Sequence, residues 1–168
     1  MGRALLIVGW IATLGLVLTG VAGYVLSLDS DSIGLHLSLG LASSLLLLFS
    51  HCWIMFYLIG TGKAIKEAVA EHDLDRDLIE RTKEFKNRSY GWLMLAMGLV
   101  MAAFIIGGGV YTRFVPAWVH HALFYLALLA QVRTLVIERA VLHENDRLMA
   151  SIDRTLAARP TAAGAAEV

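Results

Sequence analysis

Four histidines, His36, His51, His120 and His121, stand inside long uncharged runs of this 168-residue chain. Imidazole binds iron, copper and zinc and exchanges a proton near neutral pH. An ionisable side chain at membrane depth is costly to place, so each histidine there calls for a partner. His36 and His51 belong to residues 33–60, IGLHLSLGLASSLLLLFSHCWIMFYLIG, which hold no Lys, Arg, Asp or Glu. At about 1.5 Å per residue this stretch makes roughly 42 Å of helix, more than a hydrocarbon core of about 30 Å requires.

The elements that position these histidines follow from the hydropathy pattern. Hydrophobic residues make up 58 % of the chain and mean hydropathy is +0.67. The excess sits in four uncharged runs, which predicts an all-α integral membrane four-helix bundle with cytoplasmic helical extensions. The spans fall at about 4–28, 33–60, 90–112 and 117–137. The first follows a lone Arg3 and is too long for an ordinary signal core, so it reads as a retained helix rather than a cleaved leader. Gly9, Thr13, Leu16, Gly20 and Gly23 recur on one of its faces, where small side chains allow close helix approach. His36, Gly40, Ser43, Leu47 and Ser50 form a similar stripe on the second span. Gly91, Leu95, Gly98 and Ala102 form one on the third, whose far end is loosened by Gly107, Gly108 and Gly109.

Residues 61–89 carry charges of both signs, with Ile65, Ala68, Val69, Leu78, Ile79 and Phe85 at helical spacing. This predicts a helical hairpin whose arms continue the flanking spans and meet near residues 72–75. Residues 138–158 extend the fourth span as helix, with Val141, Leu148, Ile152 and Leu156 on one side. Ser30 or Ser32 suits the start of the second helix, Pro116 that of the fourth, and residues 160–168 read as a disordered tail. Residues 1–159 thus form one four-span domain.

Charge sets the expected orientation. With the N-terminus cytoplasmic, Arg113 alone among the 14 Lys and Arg residues lies outside. That is a strong positive-inside asymmetry and predicts cytoplasmic N- and C-termini, as in a bacterial inner-membrane protein. Net charge is zero, so no basic surplus points to nucleic acid, and the lone Cys52 excludes an intrachain disulfide.

In this topology the second and fourth spans run in the same direction. His36 then shares its depth, near the outer face, with His120 and His121. Those two are about 100° apart around the helix, so at most one meets His36 squarely. His120 shares its face with Phe124, Ala127 and Gln131 and is the better placed. The plan of four spans with facing histidines resembles that of small membrane cytochrome b subunits, and what this implies is one b-type haem held by His36 and a histidine of the fourth span. His51 lies about 22 Å deeper. A second haem there would need Met94, Met97 or Met101 as its other ligand, and the plainer reading is a hydrogen bond to Ser44, Ser50 or a backbone carbonyl. A copper or zinc site is the alternative at the outer level, using His36, His120 and His121 with Asp29 or Asp31.

Other candidate chemistry fails on its residues. Gly60-Thr-Gly-Lys63 lacks the first glycine and the final Ser/Thr of a phosphate loop. His51 and Cys52 are adjacent on a helix and point about 100° apart, which does not suit a nucleophile and its base. Two function classes follow: a redox-carrier subunit, and a non-catalytic scaffold whose helices meet a protein partner or a second copy in the bilayer.

Overall fold

The computed structural model describes residues 2–26 and 33–158. These form α1 (Gly2–Leu26), α2 (Ile33–His72), α3 (Asp77–Tyr111) and α4 (Ala117–Ala157), with no strand among the described residues. All four helices are long and apolar enough to cross a membrane. Large apolar side chains such as Ile7, Trp10, Leu14, Phe49, Phe56, Ile105 and Leu129 stand exposed along them. In water so much exposed apolar surface would drive association; against acyl chains it is matched. The Asp29, Asp31, Ser30 and Ser32 assignments and the 160–168 tail lie outside the described residues.

The expected hairpin is present. The arms run unbroken out of the spans as parts of α2 and α3 and turn at residues 73–76. Asp73 ends α2 in the left-handed region (φ 48), and Leu74 N–H reaches back to Val69 O at 3.2 Å. The same closure ends α3, with Arg113 at φ 60 and Phe114 N–H on Gly109 O at 2.8 Å. Both are helix-end loops that normally carry glycine. Ile65, Val69, Phe85, Leu148 and Ile152 pack into one buried cluster at this charged end. Burial of such a side chain from water is worth about 1.5–3 kcal/mol. The exposed pairs Lys63–Glu67, Lys83–Glu80 and Arg88–Glu144 decorate the same end and contribute little.

Inside the spans the two hairpins, α1–α2 and α3–α4, repeat one another. α1 packs on α2 and α4, α3 packs on α2 and α4, and α2 and α4 touch sparsely across the diagonal. Leu5, Gly9, Ala12, Thr13, Leu16 and Thr19 are buried on α1. Their counterparts 84 positions later on α3, from Ser89 through Leu93, Ala96, Met97 and Val100 to Ala103, are buried too. The same shift carries Ser43, Leu47, Ser50, His51, Ile54 and Leu58 of α2 onto Ala127, Gln131, Thr134, Leu135, Glu138 and Leu142 of α4, all buried. Contacts between the hairpins follow suit. A Cβ on Gly2 would lie 3.1 Å from Asp146 Oδ2, and one on Gly62 would lie 3.1 Å from Lys86 Nζ; residues 2 and 62 correspond to 86 and 146. Thr61 and Asn145, themselves counterparts, bond each other at 3.1 Å. The bundle is a pseudo-two-fold pair of parallel repeats, an arrangement known in membrane transport proteins.

The small-residue faces of α1 and α2 lie inside as their spacing predicts. That of α3 does not. Gly91, Leu95 and Gly98 are exposed, and no atom approaches within 4 Å of a Cβ at Gly91 or Gly98. The interior face of α3 is Leu93, Ala96, Met97, Val100 and Ala103, where the two alanines provide the close approach instead. The glycines at 107–109 do not loosen the helix, which continues to Tyr111.

Candidate functional site

At the end of the bundle closed by the 112–116 turn, His36 of α2 and His120 of α4 face one another across the pseudo-two-fold axis. Their ring centroids are 6.4 Å apart and their planes are nearly perpendicular, at 86°. Each ring is fixed the same way. His36 Nδ1 lies 2.9 Å from Thr19 O of α1, and His120 Nδ1 lies 2.9 Å from Ala103 O of α3, each carbonyl 17 residues back in the chain. A carbonyl oxygen only accepts, so each Nδ1 donates. In the neutral rings that leaves both Nε2 lone pairs unprotonated and available to a Lewis acid.

Glycine creates the seats for the two rings. A Cβ at Gly23 would stand 2.8 Å from His36 Cε1, and one at Gly107 would stand 3.0 Å from His120 Cε1. Gly23 and Gly107 are counterparts in the two repeats, one helical turn beyond the accepting carbonyls. The glycine run expected to leave room beside the histidines is thus occupied at Gly107 by the imidazole itself. Next to the pair, a groove of about 290 Å³ opens between α1 and α4. It is lined by Gly20, Phe124 and neighbouring apolar side chains, with Tyr24 and Tyr125 joined by a 2.8 Å hydrogen bond between their hydroxyls.

His121 lies beside this pair, next to His120. It is exposed, with its ring 5.2 Å from that of Tyr24 and 6.0 Å from that of His120. Of the two adjacent histidines, the one on the Phe124, Ala127 and Gln131 face is the one brought to His36. No group of three or more His, Cys, Asp or Glu among the described residues is placed to hold a metal ion.

His51 has partners other than those expected from its neighbours in sequence. It is fully buried; Nε2 lies 2.8 Å from Gln131 Oε1 and Nδ1 lies 2.7 Å from Glu138 Oε1. The latter contact lacks the angle of a formed hydrogen bond. With Nε2 bonded to Gln131 and Nδ1 lying against Glu138, neither ring nitrogen faces an open position for iron. Met94 and Met101 are exposed besides, at 58 % and 39 %, which removes them from the interior. Ser44 and Ser50 do not bond the ring. Glu138, by sequence the first residue of the polar extension beyond the fourth span, is 1 % exposed and corresponds to Ile54 of the first repeat, nine residues before Lys63.

Comparison with protein-family models, with curated proteins and with solved structures finds no match.

Proposed function

We propose that this protein is a membrane-embedded electron carrier that holds one haem b between His36 and His120. The observation that carries the reading is the matched seating of the two imidazoles. Two imidazoles that together hold one metal atom, each at about 2.0–2.1 Å, would stand with their ring centres roughly 6 Å apart. The 6.4 Å found between His36 and His120 agrees with that span. The donor set also fits: two imidazoles, each with Nδ1 held by a backbone carbonyl, with no buried carboxylate beside them among the described residues. Haem bound there would supply a one-electron couple.

The chain's own contribution is orientation and exclusion of water. Thr19 O and Ala103 O hold the Nδ1 protons, which fixes the tautomer and strengthens each ring as a ligand. Gly23 and Gly107 let each ring lie against the neighbouring helix, and Phe124, packed on Gly20, closes the side toward α1. Apolar walls would favour the reduced form of a haem held by these imidazoles. In this reading the chain sits in a bacterial inner membrane with both termini cytoplasmic, the histidine pair lies near the outer face, and electrons pass to or from a membrane or periplasmic protein partner.

Protein purified after expression with ample haem should carry one haem per chain and give a low-spin reduced-minus-oxidised spectrum. Absence of a Soret band would refute the reading. Stoichiometric copper or zinc in its place would favour a metal site at His36, His120 and His121. Absence of all three would favour a scaffold subunit.

A further inference from the structure

His51 and Glu138 are the only titratable side chains among the described residues that are buried, and they are buried together. They belong to a row that crosses the bundle from α1 to α4. Its hydrogen-bond directions follow from one fixed end. Thr13 gives its single hydroxyl proton to Gly9 O at 2.8 Å. It therefore accepts from Gln131 Nε2 at 3.0 Å, which turns Gln131 Oε1 toward His51. Oε1 only accepts, so His51 Nε2 carries a proton. The remaining ring nitrogen, Nδ1, is 2.7 Å from Glu138 Oε1. Two bare lone pairs at that distance in a dry interior would repel strongly, so one proton resides on Nδ1 or Oε1.

The repeat shows that packing does not require this row. The counterparts of Thr13, His51, Gln131 and Glu138 are Met97, Leu135, Leu47 and Ile54, all apolar and all buried in the same bundle. The fold therefore displays an apolar solution for every position of the row, and a buried ion pair seldom adds stability over such a solution. A second observation points to a ligand. Glu138 Oε2 and Ser50 Oγ are buried without any partner, and they lie 3.8 and 3.5 Å from the point where Gly9 would carry a Cβ. Two unpartnered polar atoms thus lie beside the buried Gly9, where Leu135 Cδ2 comes within 3.0 Å of the same point.

We infer that Thr13, Gln131, His51 and Glu138 form a binding site for one exchangeable proton, with Glu138 Oε2 and Ser50 Oγ as unpartnered polar atoms beside it. On release, the bond from the proton to Nδ1 or Oε1 breaks. The pair passes from net neutral to a single negative charge, and the proton leaves to water. Binding reverses this, and no other bond changes. No other titratable side chain among the described residues is buried with the pair. α1 presents Gly9 and Thr13, α2 presents Ser50 and Ile54, and α3 presents Leu93, Ala96 and Met97. Arg133 and Arg139 on α4 are exposed, Arg133 lying over the Trp92 ring at 5.6 Å. The inference stands whether or not haem binds at the other end.

Proton uptake by the purified protein, followed with infrared spectra in H2O and D2O, tests it. Glu138→Gln keeps the row bonded, because the new amide donates to His51 Nδ1, but it removes the mobile proton. A second variant, Thr13→Met with His51→Leu, Gln131→Leu and Glu138→Ile, installs the other repeat's side chains. Wild type should take up and release one proton per chain more than the four-site variant. A deuterium-sensitive carboxyl or imidazolium band should accompany this exchange and vanish in Glu138→Gln. Equal proton counts, or a band unchanged by Glu138→Gln, would overturn the inference. Should the four-site variant fail to fold, the Glu138→Gln comparison decides alone.

Discussion

Removing the Glu138 carboxylate while leaving His51 in place probes the interior most sharply. Glu138→Ala leaves Nδ1 of a side chain with no exposure facing a void. Breaking a buried pair by deleting one partner costs about 3–5 kcal/mol in water-soluble proteins. Polar contacts between spanning helices average only about 0.6 kcal/mol, because the unfolded chain in a membrane finds other partners. The burial here is complete on both sides and the deletion also leaves a cavity, so the first effect dominates. The expected loss is about 3 kcal/mol, at the lower end of the range. Reversible unfolding of the purified protein in mixed micelles measures it. Glu138→Gln should stay within about 1 kcal/mol of wild type, since it preserves the donor toward Nδ1. If Glu138→Ala costs under about 0.5 kcal/mol, like an ordinary surface change, the row is not the tight structure described.

Three further outcomes follow from other parts of the molecule. Gly23→Ala and Gly107→Ala should each push an imidazole off its seat and lower haem retention at least tenfold, with the fold intact by circular dichroism; unchanged retention would refute the seating. Arg113→Gly should stabilise by about 1 kcal/mol, raising Tm by roughly 2–4 °C, because it relieves a left-handed side-chain residue at the end of α3; a lower Tm would contradict that account of the turn. A cysteine at Val115 should react with an impermeant reagent in intact cells and one at Asp77 should not, once Cys52 is replaced; the reverse pattern would invert the proposed orientation.

The spacing of residue types carries the helices, the hairpin turn and the inward faces of α1 and α2 directly, because these depend on local periodicity alone. It also separates His120 from His121, since Phe124, Ala127 and Gln131 mark the interior face of α4. It fails on α3, where smallness alone cannot tell a face packed against a helix from one turned to lipid: Gly91 and Gly98 look outward while Ala96 and Ala103 look in. It also misses the partners of His51. Gln131 and Glu138 are seven residues apart and hence on one face of α4, but Glu138 follows the last uncharged residues and was grouped with the solvated extension. The legible signal was the chain laid on itself at a shift of 84, which aligns Gly23 with Gly107 and His36 with His120. On that alignment Glu138 falls on Ile54, deep in a span, and its polarity stands out.

If His36 and His120 hold haem as proposed, substituting the histidines one at a time measures it most directly. Each of His36→Ala, His120→Ala, His121→Ala and His51→Ala should be purified after haem-sufficient expression and its haem content per chain read from the reduced-minus-oxidised spectrum. The arrangement predicts that His36→Ala and His120→Ala each lose the low-spin signal, while His121→Ala and His51→Ala keep it. Loss with His51→Ala and retention with His36→Ala would contradict the account.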